Sequence, residues 1–368
     1  MTLSGCWDSL ELRDSAMVSA IGIDVGKAHR YRYSIEVLRP AAESSKANSD
    51  HQGSVVLNRT GVSLADVANN YLRDTRRLLE FTHTRVIVLS ENMARKGILP
   101  ILDLWRREPM FRLNSYLFVT PDFPQEVLKA KPTLRETVSL DLVGGGSPTL
   151  MNGSSNTSYM DVYDFLRLLS EPSDTAYVPV IRVITHGGER FAEVERLALF
   201  KHGRMMSTLN DRETIGLIMM LGLAKHSTIQ AFDSFNRTPI SMFLENEKVK
   251  ITPAFNTRPT KIQIELQGTL SEDSTGESFS IKRAKWVERM VSAKAKRDVQ
   301  SALCTIQKSG IDAIRLGTQI YRNSPVLWTR LSSHWNNQFS RMHIQVQIIC
   351  HIHSPGLIRS MDYASAKE

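Results

Sequence analysis

The side chains best suited to nucleophilic or metal chemistry in this 368-residue chain are three cysteines, Cys6, Cys304 and Cys350, and ten histidines. No cysteine falls in a CxxC pair or at zinc-ligand spacing from a histidine, so neither a structural zinc nor a redox pair is indicated. Cys304 lies within a helical pattern and Cys350 within the apolar strand from Ile344 to Ile352, and both are expected as small buried hydrophobes. His351 and His353 alternate along that strand and share one face, but no carboxylate or third ligand stands nearby, so they are expected to face solvent. His186 before Gly187-Gly188 and His202 before Gly203 mark turns. Gly144-Gly145-Gly146-Ser147 lacks the Gly-Lys-Ser/Thr of a phosphate loop and reads as a flexible loop. Glu91 and Asp103 do not form an inferable acid–base pair, and neither GxSxG nor HExxH occurs. The residues therefore give no positive reason to assign an enzymatic reaction, a metal or a cofactor.

Cys6 differs from the other two cysteines. It closes Leu3-Ser4-Gly5-Cys6, the form of a bacterial lipobox, in which the cysteine sulfur receives diacylglycerol. The basic and apolar segments of a secretory signal do not precede it, so this reading expects a start codon upstream of Met1 or a trimmed leader. Two acyl chains of the palmitate type suffice for stable attachment, since each buried CH₂ contributes about 0.8 kcal/mol. Trp7 would then sit at the membrane interface, where an amphipathic indole is favoured.

Composition sets the frame for these residues. With 42% apolar and 23% charged residues, the chain resembles an average globular protein. Its length exceeds the roughly 250–300 residues at which a single core stops growing, so two or three domains are expected. The strongest apolar stretch, Gly216 to Ala224, is far shorter than the ~20 residues of a membrane span. A formal charge of +8 suits an acidic partner. The densest basic run comprises Lys282, Arg283, Lys285, Arg289, Lys294, Lys296 and Arg297, against Glu288 and Asp298. No nucleic-acid-binding motif accompanies it, so it reads as a solvated helix face, and an extracytoplasmic location favours anionic headgroups over nucleic acid.

The elements follow from periodicity. Val18 to Ile23, Arg32 to Val37 and Gly53 to Thr60 read as strands, with a polar loop from Ala41 to Gln52. Ser63 opens a helix in which Leu64, Val67, Ala68, Tyr71, Leu72, Leu78 and Leu79 recur at helical spacing. Val86 to Leu89 is an apolar run typical of a strand buried on both faces; Glu91 to Leu104 is helical, broken by Gly97 and Pro100; Ser115 to Val119 is a strand. Lys131 to Asn156 is irregular and carries a boundary. A helix from Val162 to Leu169, a strand from Val178 to Ile184 and two hairpins turning at Gly187-Gly188 and His202-Gly203 follow. Asn210 caps a helix with Asp211 and Glu213 in its first turn.

Strands from Met242 to Ile251 and Lys261 to Leu270 precede a long helix whose stripe is Val287, Val291, Ala295, Val299, Leu303 and Ile306, ending near Gly310. A segment from Ile311 to Ile320 then leads to Trp328, Trp335 and Phe339, read as core aromatics, and to a closing strand. The expected fold is mixed α/β, of the α+β type: mixed sheets with packed helices in three domains, 1–130, 131–225 and 226–368, with the long helix in the last.

Four ordered blocks resemble a family. Cys6-Trp7-Asp8 with Glu11-Leu12, Asp14, Val18 and Ile21-Gly22-Ile23-Asp24 is the first. Thr82-His83, Val86 to Leu89, Glu91, Met93-Ala94-Arg95, Gly97-Ile98, Leu102-Asp103 and Arg106 form the second. The third is Ala198-Leu199-Phe200-Lys201, Gly203, Leu209-Asn210 and Glu213-Thr214; the fourth is Asp312-Ala313, Gly317, Pro325, Trp328, Trp335 and Phe339. Together they resemble the Ger(x)C family, the lipidated C subunits of spore germinant receptors. Met206-Ser207-Thr208 departs from the smaller or more apolar turn usual there.

The resemblance implies a non-enzymatic lipoprotein on the outer face of the spore inner membrane, beside an integral-membrane A subunit and a transporter-like B subunit, in a complex that senses nutrients and triggers germination. It also implies three mixed α/β domains. The alternative reading is a solute-binding lipoprotein holding a nutrient in an interdomain cleft; a cell-envelope hydrolase would instead require carboxylates or a Ser/His/Asp group converging in a pocket.

Overall fold

The computed structural model describes residues 15–27, 31–39, 53–144, 158–233, 238–254, 258–275 and 279–354, and it is a mixed α+β structure with two sheets. Residues 41–52, 145–147 and 152–156, expected as loop, lie outside this set.

The chain enters through an antiparallel meander of β1 (Ser15–Val25), β2 (Tyr31–Leu38) and β3 (Ser54–Gly61). Ser63 then accepts the Asp66 N–H at 3.1 Å and starts α1 (Leu64–Thr75). β4 (Leu78–Glu80) and β5 (Val86–Ser90) follow, then α2 (Glu91–Lys96), α3 (Leu99–Arg107) and β6 (Tyr116–Thr120). Two short helices, α4 (Pro124–Leu128) and α5 (Val138–Val143), precede α6 (Val162–Leu169). β7 (Thr175–His186), β8 (Glu189–Lys201) and β9 (Arg204–Thr208) complete a nine-stranded sheet, in the order β3-β2-β1-β5-β6-β7-β8-β9, with β4 beside β1.

Its centre, β1, β5, β6 and β7, is parallel. Alternation splits each central strand between two cores. Ile87, Leu89, Leu117 and Val119 pack with Val67, Leu102 and Phe165, whereas Val86, Val88 and Phe118 pack with Val127 and Leu142 on the other face. A strand covered on both faces needs apolar residues at every position, which is why Val86 to Leu89 shows no alternation in sequence.

α7 (Asp211–Leu221) leaves this sheet and packs under the second one, formed by β10 (Thr228–Phe232), β11 (Pro239–Thr252), β12 (Thr260–Asp273) and β13 (Ile344–Ser354) in the order β10-β11-β12-β13. Between β12 and β13 run the long α8 (Ile281–Lys308), α9 (Leu316–Asn323), α10 (Pro325–Leu331) and α11 (Trp335–Arg341). Ile262, Ile264 and Leu266 of β12 join the stripe Val287, Val291, Ala295, Val299 and Ile306 in one core, while Lys261, Gln263 and Glu265 are exposed. β8 links the two halves, with Ala198 and Phe200 in the first core and Leu197 and Leu199 in the second.

Several expectations change. Leu78 and Leu79 are not the end of α1 but the strand β4, because the helix stops at Arg76, whose φ of 56° puts it in the left-handed region. Cys304 is exposed, facing away from the stripe that buries Leu303 and Ile306. The stretch from Lys131 contains α5, started by Thr137, and α9 begins only at Leu316, after a buried turn that includes Ile311 and Ile314. The short α4 and β10 carried too few periodic residues to be anticipated. The first sheet runs across residue 131 without a break, with β6 paired to β7 at Val119 and Val180.

Candidate functional site

Cys6 and Trp7 lie outside the described residues, and the first described residue, Ser15, opens β1. Asp8, Glu11, Leu12 and Asp14 lie outside them too, and three places in the described fold gather motif residues.

The first is centred on Asp312, in the turn between α8 and α9. Its carboxylate, wholly buried, accepts hydrogen bonds from Leu316 N–H (2.9 Å), Gly317 N–H (2.6 Å), Ser173 Oγ (2.8 Å) and Trp335 Nε1 (3.0 Å). Its backbone carbonyl accepts Thr175 Oγ1 at 2.9 Å, and Ser173 Oγ accepts the Thr318 N–H at 3.0 Å. The carboxylate thus clamps the C-terminal helices onto the segment that enters β7. Burial pushes Asp312 up to about 6, although all four donors favour its charged form.

Gly317 is required here because a Cβ would lie 2.7 Å from the Trp328 ring. Trp328 and Trp335 meet edge to face at 5.4 Å, and Trp335 and Phe339 are buried. The tryptophan pair is therefore spent largely on this joint, Trp335 as core and Trp328 half-buried over it.

The second place joins α2 and α3 to the turn between β8 and β9. Gly97 adopts φ 112° and Gly203 φ 68°; Ile98 N–H donates to the Gly203 carbonyl at 3.0 Å, and a Cβ on Gly203 would lie 2.4 Å from Leu99 Cγ. Arg95 pairs with Glu91 at 2.5 Å, an exposed i,i+4 bridge. Next to it, Asn210 and Glu213 form a reciprocal capping box on α7. Glu213 Oε1 also accepts Thr305 Oγ1 at 2.6 Å, tying α7 to α8, and Thr214 Oγ1 accepts the Leu197 N–H at 3.2 Å.

The third is a cleft of about 500 Å³ outside the carboxyl ends of β1, β5 and β6, the position where α/β sheets commonly hold ligands. Asp24, Glu91, Asp122, Phe123, Glu126 and Arg190 line it. Its carboxylates are engaged: Asp24 accepts the Val25 N–H at 2.7 Å, Asp122 accepts the Val183 N–H at 2.9 Å, Glu91 holds Arg95 and Glu126 holds Arg190. Ser90, also in its wall, accepts the Met93 N–H at 3.1 Å as the cap of α2. Among the described residues no group of three or more His, Cys, Asp or Glu is arranged to hold a metal ion, and no helix is long and apolar enough to cross a membrane.

The basic run of α8 divides. Lys282, Lys285, Arg289, Lys296 and Arg297 are exposed, as expected of a solvated face. Arg283 is buried, bidentate to Asp273 at 2.9 Å and 4.1 Å from the Trp286 ring centre, and Lys294 and Arg212 hold the buried Asp298. His351 and His353 are exposed, with His353 Nε2 2.9 Å from Glu245, and Cys350 is buried. The Asp312 clamp had no signature in local spacing: the fourth block contains Asp312, Gly317 and Trp335, but Ser173 and Thr175, which complete the clamp, lie outside every block.

Residues 8–183 match the family model described as the spore germination protein N-terminal domain, and residues 195–356 the one described as spore germination B3/GerAC like, C-terminal. The chain is similar to spore germination protein KC of Bacillus subtilis, 22% identical over 97% of this chain and 93% of that protein. It is similar also to spore germination protein B3 of the same organism, 23% identical over 95% and 93%. Among solved structures it resembles the crystal structure of the GerBC protein, with a TM-score of 0.56 and 21% identity over 90% of this chain and 96% of that one, a likeness of fold.

Proposed function

The chain belongs to the Ger(x)C family of spore germination proteins, and from that premise we propose that it is the lipid-tethered, non-catalytic C subunit of a nutrient germinant receptor. Tethering is through diacylglycerol on Cys6, with Trp7 at the interface, on the outer face of the spore inner membrane. The partners are the membrane-embedded A and B subunits. The observation that carries this reading is how the motif residues are used: Asp312, Gly317, Trp335, Gly203 and Glu213 fasten one part of the fold to another instead of converging on a reactive atom. Such a body suits a scaffold that stabilises an assembly and biases its conformation when nutrient binds.

Expression from an upstream start in the native host tests it. The wild-type protein is expected in the membrane fraction with a diacylglyceryl mass increment, and Cys6→Ala is expected to lose both the increment and nutrient-triggered germination. A Cys6→Ala protein that stays membrane-bound and supports germination would refute the tether.

A second reading, direct nutrient binding, draws on the cleft at the carboxyl ends of β1, β5 and β6. Saturable binding of an amino acid or sugar by the purified chain, abolished by Asp122→Ala, would favour it.

A further inference from the structure

A smaller cavity of about 290 Å³ opens at the opposite, amino-terminal ends of β5 and β6. Its walls carry His83, Arg85 and Arg112 together with Thr82, Asn114 and Tyr116, and no acidic residue lines it. The three basic side chains are exposed, and none has a carboxylate partner among the described residues. Two adjoining acids are used otherwise: Glu80 accepts the Thr82 N–H at 3.0 Å, and Asp161 accepts the Asp164 N–H at 2.7 Å as the cap of α6.

The loops bearing the cations are fixed, not loose. Buried Ser115 donates its hydroxyl to the Thr84 carbonyl at 2.7 Å and lies 2.9 Å from the Arg112 carbonyl. Arg85 donates its N–H to Ser19 at 2.9 Å and accepts from Tyr116 N–H at 2.8 Å. Two guanidiniums and an imidazole are thereby held around one polar hollow, with no carboxylate of the described residues paired to any of them. Such a constellation favours an anion with several acceptor oxygens, and guanidinium matches phosphate in particular.

Position gives the anion a source. β1 runs parallel to β5, with Ala20 opposite Val86, so Ser15 enters the sheet at the same end as this cavity. Cys6 precedes Ser15 by nine residues, a reach of at most about 30 Å. We propose that the His83–Arg85–Arg112 cavity binds the phosphate of an anionic phospholipid headgroup, turning this end of the sheet toward the bilayer. The proposal rests on the tethered reading for its orientation, though not for its chemistry.

Co-sedimentation of the unacylated full chain, Cys6→Ala, with phosphatidylcholine vesicles with and without phosphatidylglycerol separates the two. Binding is expected only with phosphatidylglycerol, and Arg85→Ala/Arg112→Ala in the same background is expected to weaken it about 30-fold, at roughly 1 kcal/mol per basic residue near a charged surface. The control Lys282→Ala/Lys285→Ala/Arg289→Ala removes three exposed cations of α8 and is expected to retain binding; circular dichroism checks that both variants fold. Equal loss in the two variants, or no loss in either, would overturn the site in favour of diffuse attraction. Saturable binding of inorganic phosphate that depends on Arg85 and Arg112, with no preference for phosphatidylglycerol vesicles, would overturn the headgroup assignment. Because every arm lacks the acyl anchor, failure here leaves the tether untouched, and failure of the tether test leaves this result standing.

Discussion

Glu247 and Asp312 are carboxyl groups held where water solvates them poorly, and burial moves both upward, Glu247 to about 7 and Asp312 to about 6. Glu247 Oε2 accepts the Ala224 N–H at 2.8 Å, while its Oε1 is buried with no hydrogen-bond partner among the described residues. A carboxyl whose pKa is raised on folding binds its proton more tightly in the native state than in the unfolded one. Its favourable contribution is complete below about pH 4 and is lost as pH rises through the folded value. The protein is therefore expected to lose stability from these two groups between about pH 4 and 7. Glu247→Gln should flatten that decline and stabilise the chain by about 1–2 kcal/mol above pH 7, allowing for partial exposure of the site. Urea titrations of wild type and variant at pH 5 and pH 8 measure it; a variant that is less stable at pH 8 would show that the charged form is favoured in place.

At the scale of elements, the approach of α7 to α8 is set by one missing side chain. A Cβ on Gly216 of α7 would stand 2.3 Å from the Asp298 carbonyl oxygen of α8, which is backbone and cannot rotate away. In an isolated helix Gly→Ala is stabilising by about 1 kcal/mol. Here the overlap forces α7 and α8 apart and loosens the contact of Leu217 and Met220 with the core they share with Val299 and Leu303. Gly216→Ala is expected to destabilise by about 1–3 kcal/mol, the range for overpacking a filled interior. A thermal melt decides the sign: a raised Tm would mean that the helix-propensity gain outweighs the clash.

At the scale of the whole molecule, the described residues form two sheets whose cores meet at β8, and α7 belongs to the second. Residues 226–368, expected from sequence as a C-terminal domain, hold the second sheet and α8, but Leu217, Ile218, Met219 and Met220 that cover this core precede the cut. A fragment beginning at residue 226 is expected to expose that surface and aggregate, whereas one beginning at residue 195, which retains α7, is expected to remain soluble with dispersed amide resonances. Equal behaviour of both fragments would make residue 226 a true boundary. The Asp312 clamp adds a long-range tie, joining Ser173 to a residue 139 positions later.

Local order was legible in the sequence because it is written in local spacing. β-branched runs and period-3.6 patterns located β1, β2, α6, β12 and α8, an unbroken apolar run located β5, and Ser63 and Asn210 announced their helices because a cap needs only the next three residues. The ordered blocks carried the family for the same reason, being read along the chain. Tertiary structure decided the rest. It turned Leu78-Leu79 into a strand by offering β1 as a partner, left Cys304 exposed through the rotation of α8 about its stripe, and brought His83, Arg85 and Arg112 around one hollow. None of these follows from neighbours in sequence, because strand pairing, burial of one helix face and convergence of loops draw their free energy from residues tens to hundreds of positions away.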